Sequence, residues 1–249
     1  MANTVILCER EEVTREIELL SEKTGARIVK NESEAEGMPL VFRVSLDRLS
    51  LEGCGQILTC DLSRMLKRLK KENLSSELLV RASRIKNKDG APLALDATAG
   101  FGEDSLMLAA AGFDVKLYER NPFIAALLRD AMRQAEKSEE LKDVISRMEL
   151  LEEDSIEALK RLEKSPDVIY LDPMFPEKEN SSLAKKKFQV LHLLEAPCSD
   201  GEELLCAAIE AKPHKIVIKR PLKGPYLGDK KPSFSMKGKA IRYDCIVLA

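Results

Sequence analysis

The sequence predicts an α/β protein: a Rossmann-like domain with a mostly parallel sheet and an antiparallel last strand, preceded by a small N-terminal α/β subdomain. Two observations support the larger domain. From Pro92 onward, short apolar strand patterns alternate with helix patterns, which is typical of a parallel sheet covered by helices on both faces. The last pattern, "KAIRYDCIVL", is a strand with no helix after it, so we expect it to pair antiparallel with a neighbouring strand.

Residues 1–62 predict the small subdomain. "TVILCE" at 4–9 is typical of a short strand, and residues 10–25 have the apolar spacing of a helix that stops at Gly25. Further strand patterns follow in "ARIVK", "LVFRVSLDRLSLE" and "GQILTCDLS". We expect a helical connector over 63–90 and the Rossmann-like domain over 91–249.

The larger domain is predicted to contain five strand patterns before its last strand, with helix patterns between them. The strand patterns are, in order, "PLALDATAG", "DVKLYERNP", "RMELLEEDS", "DVIYLDP" and "HKIVIKRP". The helix patterns are "DSLMLAAAG", "FIAALLRDAMRQAEKS", "IEALKRLEK" and "GEELLCAAIEAK". In a doubly wound sheet, ligands bind at the carboxyl ends of the strands, near the point where the strand order reverses. The residues at those ends are therefore the candidates for a site.

Composition indicates a soluble globular chain. Of the 249 residues, 44% are apolar and 33% are charged, and no apolar run approaches the roughly 20 residues that span a bilayer. The N-terminus has no basic region before its short apolar run, so we expect no secretory signal and a cytoplasmic location. The six cysteines form no CxxC pair and there are only two histidines, so we expect no metal site.

The net charge of −2 is unevenly distributed. From Ala211 to Ala249 there are ten Lys and Arg residues against two acids, a net charge of +8, and a second basic cluster lies at Arg64–Lys71. An acidic chain with local basic clusters favours one positive face that meets an anionic partner. Solvated surface charge is an equal alternative for each cluster taken alone.

The first candidate strand end is "DATAGFGED", at Asp96–Asp104. Gly100 and Gly102 allow backbone torsions and a close approach that a side chain would block. The next helix is expected to begin near Asp104, so that its first amides face this loop. A lone GxG is also typical of an ordinary tight turn between a strand and a helix.

The next two strand ends also carry acids. Glu119 lies 17 residues after Gly102, where a carboxylate can accept both ribose hydroxyls of a nucleoside. Asp154 and Ser155 follow the third strand, where an acid can accept a hydrogen bond from an adenine amino group. Either of these two residues would also serve as the N-cap of the next helix.

The carboxylates of Glu103 and Asp104 distinguish between two nucleoside cofactors. NAD places its anionic pyrophosphate on a Gly-rich loop at a helix N-terminus. Two carboxylates at that point repel a pyrophosphate, whereas they suit the sulfonium and ammonium of S-adenosylmethionine (SAM). The sequence therefore favours SAM and disfavours a nicotinamide-dependent reductase.

The heptad "YLDPMFP" at 170–176 ends the fourth strand of the domain. Pro173 restricts Asp172 to extended conformations, which holds its carboxylate toward the cleft. There the carboxylate can accept the protons of an exocyclic amine, and Phe175 can stack on the ring that carries the amine. The alternative is a strand that simply ends at prolines, with Phe175 in the core.

Taken in order, "DATAGFGED", "LYERNP", "YLDPMFP", "KKKF" and "VIKRP" resemble the small-subunit ribosomal RNA guanine-N2 methyltransferase family, type J. The resemblance implies a class I methyltransferase that uses SAM, releases S-adenosylhomocysteine and methylates a guanine N2 amine of 16S rRNA, either as free RNA or in the small ribosomal subunit. The family often has Arg where this chain has Glu103. The positions that the resemblance implies as cofactor contacts are Glu103, Asp104, Glu119, Arg120, Asp154, Ser155 and Asp172.

Contacts to RNA phosphates are expected on basic residues, of which Lys219 and Arg220 rank first because they end a strand on the cleft side. The full set is Lys185, Lys186, Lys187, Lys219, Arg220, Lys223 and the segment 230–242. Two alternatives stay open for the function. One is methylation of an amino group on a DNA base or a protein side chain, and the other is a non-catalytic module that only binds a nucleoside.

Overall fold

The computed structural model describes residues 4–86, 89–173, 189–191, 193–194 and 200–248. The chain forms two compact units that alternate along the sequence. The first unit contains Met1–Asp61, Asn121–Ala131 and Phe175–Pro197. The second contains Leu62–Arg120, Met132–Met174 and Cys198–Ala249. Across the described ranges, no helix combines the length and the apolar character that crossing a membrane requires.

The first unit is built on a five-stranded mixed sheet. Its strands are β1 (Thr4–Cys8), β2 (Arg27–Val29), β3 (Leu40–Val44), β4 (Leu49–Gly53) and β5 (Gln56–Leu58). In the order β2-β1-β3-β4-β5, β1 pairs parallel with β2 and β3, whereas β3, β4 and β5 pair antiparallel. Two helices, α1 (Arg15–Thr24) and α2 (Glu32–Ala35), belong to the same unit. These elements confirm the small α/β subdomain expected from the sequence.

Local sequence signals explain these elements. Helix α1 ends at Gly25, whose φ of 69° lies in the left-handed region and whose amide donates to the Ser21 carbonyl. Helix α2 begins with a capping box formed by Asn31 and Glu34. In β3 every second residue is buried, as expected for a strand with one face in the core.

The second unit begins with four short helical segments. They are a 3-10 turn at Leu62–Met65 and the helices α3 (Leu66–Leu69), α4 (Lys71–Leu74) and α5 (Leu78–Ser83). The sequence predicts one helical connector in this region. The structure divides it at Lys70 and Glu77, because both residues have extended ψ angles of 136° and 129°.

The rest of the second unit contains a seven-stranded sheet and helices that connect its strands. Its strands are β6 (Leu93–Asp96), β7 (Asp114–Tyr118), β8 (Met148–Leu151), β9 (Val168–Leu171), β10 (Lys215–Pro221), β11 (Phe234–Lys237) and β12 (Ile241–Val247). The helices described between these strands include α6 (Glu103–Ala110), α7 (Pro122–Ala135), α8 (Lys142–Ile145), α9 (Ser155–Lys160) and α10 (Gly201–Glu210). Residues 122–131 of α7 are grouped with the first unit.

The strand order of this sheet is β11-β12-β10-β9-β6-β7-β8. Strands β8, β7, β6, β9 and β10 run parallel, whereas β12 lies antiparallel between β10 and β11. This arrangement confirms the predicted Rossmann-like sheet with an antiparallel last strand. No sequence pattern predicts β11, because two of its four residues are exposed and the strand depends on its pairing with β12.

The strand order reverses between β6 and β9. Strand β6 is followed along the chain by β7 on one side, whereas β9 is followed by β10 on the other side. In such sheets this reversal opens a crevice for ligands beyond the carboxyl ends of the two central strands. Asp96 ends β6 and Asp172 directly follows β9, so both acids lie at this crevice.

Arg242, in β12, holds the loop that follows β10. Only 5% of its surface is exposed, and its guanidinium pairs with Asp244 at 2.9 Å. The same group donates to the carbonyl oxygens of Pro221, Leu222 and Gly224 at 2.8–2.9 Å. One buried cation therefore fixes the backbone of this loop.

We expect Arg242→Met to lower the free energy of unfolding by about 3–5 kcal/mol, because Asp244 stays buried without its cationic partner. Arg147→Met is the matched control, since Arg147 pairs with Asp114 at 3.1 Å where both side chains are about half exposed. The control should cost less than about 1 kcal/mol. Urea denaturation followed by circular dichroism measures both variants, and equal costs would contradict the role of Arg242.

Candidate active site

The loop after β6 is fixed by the buried carboxylate of Asp96. Its Oδ1 accepts the amide of Thr98 at 3.0 Å, and its Oδ2 accepts the hydroxyl of Ser105 at 2.5 Å. The hydroxyl oxygen of Thr98 in turn accepts the amide of Asp172 at 2.7 Å. These contacts join the loop, the first turn of α6 and the end of β9 in one hydrogen-bond network.

Gly100 and Gly102 determine the course of this loop. Their φ values of 53° and 73° lie in the left-handed region, which side chains disfavour. A Cβ placed on Gly100 would come no closer than 4.0 Å to the Thr98 carbonyl oxygen, so the torsion rather than crowding requires glycine. Gly102 is the N-cap of α6, so the first amides of that helix open toward the loop.

Glu119 lies against the same loop. It directly follows β7, is 9% exposed, and accepts the Gly100 amide on Oε2 at 3.0 Å. The amide of Ala99 donates to the Tyr118 carbonyl at 3.1 Å, which keeps the loop alongside the end of β7. The acid that the sequence predicts as a ribose contact is thus brought next to the Gly-rich loop.

Asp154 is the N-cap of α9. Its side chain accepts two backbone amides of the first helical turn, and Ser155 is the first residue of the helix. The guanidinium of Arg120 reaches the same carboxylate at 3.4 Å and contacts Asp200 at 2.7 Å. The structure therefore shows the capping role of Asp154, and its contact with an adenine stays a prediction.

Lys219 joins two acids at the crevice. Its Nζ lies 2.8 Å from Asp104 Oδ2 and 2.8 Å from Asp172 Oδ2. The hydroxyl of Tyr170, a residue only 1% exposed, donates to the same oxygen of Asp104 at 2.6 Å. Four side chains thus form a continuous series of contacts from Tyr170 through Asp104 and Lys219 to Asp172. Glu103, the other acid of the loop motif, is exposed.

Burial and charge shift the pKa values of these groups. Burial, helped by the charges of Asp104 and Asp172, raises the pKa of Asp96 to about 7 despite the hydrogen bonds that Asp96 accepts. Burial disfavours the charged form of Lys219, but the attraction of Asp104 and Asp172 outweighs it and raises the pKa. Burial also raises the pKa of Tyr170 well above its ordinary value, so its hydroxyl stays a donor.

Comparison with known proteins identifies the family. Residues 29–248 match a family described as SAM-dependent methyltransferase. A relative from Thioalkalivibrio sulfidiphilus, ribosomal RNA small subunit methyltransferase J, is 41% identical over 177 residues, which cover 70% of this chain and 69% of the relative. The chain belongs to the methyltransferase J family.

Other members of the methyltransferase J family match over a shorter stretch. A relative from Pseudomonas fluorescens is 43% identical over 154 residues, or 61% of this chain, and the chain spans 59% of the relative's length. A solved SAM-dependent methyltransferase from Neisseria gonorrhoeae is 26% identical, has a TM-score of 0.73, and matches over 98% of this chain and 95% of its own. This likeness confirms the class I methyltransferase fold that the motif resemblance implied.

The structure of this methyltransferase J family member places most of the predicted site residues in three groups. Those on the loop, the helix start and the strand ends at the crevice are Asp96, Gly100, Gly102, Glu103, Asp104, Glu119, Asp172 and Pro173. Those beside the ends of β7 and β8 are Arg120, Asp154 and Ser155. Those outside the described residues are Phe175, Lys185, Lys186 and Lys187.

Lys219 and Arg220, which the sequence predicts as RNA contacts, do not lie on an exposed basic surface. Lys219 is ion-paired within the crevice. Arg220 is 3% exposed and donates to the Pro225 carbonyl at 2.8 Å. The sequence shows that both residues end a strand, but it does not show how far each side chain is buried. Lys223, in contrast, is exposed.

Three supporting side chains, Thr98, Ser105 and Tyr170, are absent from the predicted site. The hydroxyls of Thr98 and Ser105 follow Asp96 closely in the sequence, and hydroxyls are the usual partners of a buried acid. The closeness of these hydroxyl residues to Asp96 in the sequence could have identified both as its partners. Tyr170 lies in an apolar run, where nothing distinguishes a hydroxyl that meets Asp104 from an ordinary core tyrosine. Within the part of the chain that the structure describes, no group of three or more His, Cys, Asp or Glu side chains could hold a metal ion.

We expect Asp96→Asn to change how stability depends on pH. Folding raises the pKa of Asp96 from about 3.8 to about 7, so the folded parent favours the protonated form. The stability that protonated Asp96 contributes to the folded state is fully present below pH 4 and is lost as the pH rises through 7. Asparagine does not ionise, so the unfolding free energy of the variant minus that of the parent should increase over this window. Urea unfolding between pH 4 and pH 8 measures the difference, and a constant difference would contradict the prediction.

Proposed function

We propose that this protein transfers a methyl group from SAM to the exocyclic N2 amine of a guanine in 16S rRNA. One observation carries the proposal: Asp172, whose amide is held by Thr98, lies beside the Gly-rich loop at the strand reversal. That position suits an acceptor for an amine held next to a nucleoside cofactor. The names of the relatives, methyltransferases of small-subunit ribosomal RNA, support the same substrate class and hence a cytoplasmic location.

The residues at the crevice fit SAM. When bound, SAM supplies a methyl group carried on a positively charged sulfonium. The carboxylates of Asp104 and Glu119 suit cationic groups and hydroxyl donors, whereas they would repel the pyrophosphate of NAD. The left-handed turn at Gly100 leaves open space in which a ligand can approach the backbone closely. We assign the nucleoside end of the cofactor to the residues after β7 and β8, which are Glu119, Arg120, Asp154 and Ser155.

Asp172 is assigned to orienting the substrate amine. The exocyclic amine of guanine is a weak nucleophile because its lone pair is delocalised into the ring. A carboxylate that accepts one of its protons increases the electron density on nitrogen and directs the lone pair. The same carboxylate takes the proton that nitrogen sheds once it has gained a methyl group. Pro173, which is buried, restricts the backbone of Asp172 and so keeps this acceptor in place.

The segment after β10 offers a basic and partly aromatic surface for RNA. Between residues 222 and 240 there are five exposed lysines and one exposed acid, Asp229. These lysines are Lys223, Lys230, Lys231, Lys237 and Lys239. The side chains of Tyr226 and Phe234 are 42% and 40% exposed, and exposed rings stack on unpaired bases. Arg242 fixes the start of this segment, and its guanidinium carbon lies 5.1 Å from the centre of the Tyr226 ring.

We expect Asp172→Ala to lower kcat for methyl transfer about 100-fold, the usual effect of removing one positioned acceptor. The KM for RNA should change little, because phosphate contacts elsewhere provide most of the affinity. Asp172→Asn should be milder, since its carbonyl oxygen still accepts a hydrogen bond. Single-turnover transfer of labelled methyl groups to small subunits or their 16S rRNA, followed by digestion to nucleosides, measures the rate and identifies N2-methylguanosine.

Thermal melting controls for folding of both Asp172 variants. A folded Asp172→Ala enzyme that transfers methyl groups at the parent rate would remove Asp172 from catalysis. Calorimetry with S-adenosylhomocysteine and with NADH tests the cofactor separately. Tight NADH binding without S-adenosylhomocysteine binding would overturn the proposed function. Methylation of DNA or protein but not of rRNA would show that the proposed substrate is wrong.

We expect a variant with four lysines of the basic segment changed to glutamine to bind RNA more weakly while its affinity for S-adenosylhomocysteine stays near that of the parent. The four are Lys230, Lys231, Lys237 and Lys239. Each lost phosphate contact should also reduce the slope of log affinity against log salt by about 0.7–0.9. Filter binding at several salt concentrations measures both quantities.

The control for this variant carries the same change in net charge elsewhere in the second unit. Its four lysines, also changed to glutamine, are Lys116, Lys142, Lys160 and Lys164. RNA affinity and salt slope should stay close to the parent values in the control. Equal losses in the two variants would show that net charge, and not the segment after β10, controls RNA binding.

A further inference from the structure

Lys219 carries its charge into the crevice, between two acids of the site. Its Nζ donates to one oxygen of Asp104 and to one oxygen of Asp172, at 2.8 Å in each case. The three side chains are 26%, 18% and 35% exposed, so water screens their charges only in part. Because both carboxylates contact one nitrogen atom, they must also lie close to each other.

The charged and titratable groups around this trio come from every neighbouring element. Tyr170 of β9 donates to Asp104, and Tyr243 of β12 is paired in register with Lys219. The others act through their charges on these groups: Asp96 of β6, Arg68 of α3 and Arg220 of β10. Both tyrosines have raised pKa values because they are buried, so they bring no negative charge at neutral pH.

Removing the cation between two adjacent carboxylates has a defined effect. The carboxylates then repel each other, and one of them retains its proton to a higher pH. A protonated Asp172 would have less capacity to accept a hydrogen bond from an amine and could not take a proton. The position of Lys219 thus bears directly on the state in which Asp172 meets its substrate.

We propose that Lys219 is a positioning residue for methyl transfer, whose ammonium holds Asp104 and Asp172 side by side as two ionised acceptors. This inference rests on the proposed function, in which Asp172 accepts the substrate amine. Lys219 acts through Asp172 rather than on the reacting atoms. Because its pKa is raised, Lys219 stays protonated at neutral pH and exchanges no proton during the transfer.

The geometry also separates this role from a phosphate contact. A lysine that binds RNA phosphates presents its ammonium to solvent and gains affinity by releasing counterions. The ammonium of Lys219 is instead engaged by two carboxylates of the protein. A phosphate would have to displace one of these carboxylates and approach the other.

The test compares Lys219→Met with Lys160→Met. Lys160 is a matched control, because its Nζ also bridges two carboxylates, those of Glu157 and Glu203, at 3.0 Å each. That bridge lies on the exposed surface of α9, and its lysine is 40% exposed. Both substitutions remove one bridging charge and keep a similar side-chain length. A difference between the two variants therefore reports the effect of losing the charge at the crevice rather than at the surface.

For Lys219→Met we expect kcat to fall about 10- to 100-fold while the KM for RNA stays within about twofold. The acid limb of the kcat–pH profile should move up by about one pH unit or more, because Asp172 beside Asp104 holds its proton longer. Lys219→Arg keeps the charge, so its acid limb should stay near that of the parent even where its rate is lower. Lys160→Met should match the parent in all three measurements.

A second measurement does not depend on activity. In protein labelled with carbon-13 at the aspartate carboxyl groups, an NMR titration follows each group directly. Lys219→Met should move the titration of one aspartate to a higher pH, and Lys160→Met should move none. This measurement decides the inference even if the parent methylates no RNA, a result that would count against the proposed function alone.

Three results would overturn the inference. One is an unchanged set of aspartate titrations in Lys219→Met. Another is a loss confined to the KM for RNA, together with a smaller salt dependence, which would make Lys219 a phosphate contact. The third is an equal loss of kcat in Lys160→Met. Thermal melting controls for folding, and Lys219→Gln is the replacement variant if the methionine form does not fold.

Discussion

The hydrogen bonds accepted by the buried carboxylate of Asp96 hold the candidate site together. They fix the backbone of the Gly-rich loop at Thr98, and the Thr98 hydroxyl oxygen in turn accepts the amide of Asp172. An acid at this depth is costly to keep in ionised form, and the hydrogen bonds from Thr98 and Ser105 reduce that cost. The loop and the end of β9 therefore have their relative positions before any ligand is present, which is the condition for orienting an amine with little loss of entropy at the reaction.

Charge compensation is the second condition for such a site. The crevice and the adjoining loop hold three partly buried carboxylates, those of Asp104, Glu119 and Asp172, and such carboxylates would destabilise the fold if they had no partner. The protein offsets them with its own groups: the Gly100 amide donates to Glu119, and Lys219 contacts the other two acids. The protein's own cation and backbone amide thus contact all three of these acids of the candidate site.

The sequence predicts the sheet and most of the acids at the carboxyl ends of its strands, because both leave local signals. Alternating strand and helix patterns after Pro92 predict the parallel order, and Asp96 and Asp172 stand where apolar runs end. The partners of Lys219 leave no such signal, since they lie 115 and 47 residues away in the chain. A pattern shows where a strand ends but not which distant side chains meet it there, so a cleft lysine and a surface lysine look alike in the sequence. Strand β11 is missed for a related reason, because it exists through its pairing with β12.

The position of β12 has a consequence for how the protein is made. It follows β10 and β11 in the chain, yet it lies between them in the sheet. During synthesis β10 is therefore an open edge, and β11 has no neighbour to pair with, until Ile241–Val247 has left the ribosome. A chain interrupted or cleaved before Ile241 would expose two unpaired strands and lack the guanidinium that fixes the loop after β10. Such a fragment would be prone to aggregation rather than a weakened enzyme, and quality-control proteases would meet it as an unfinished sheet.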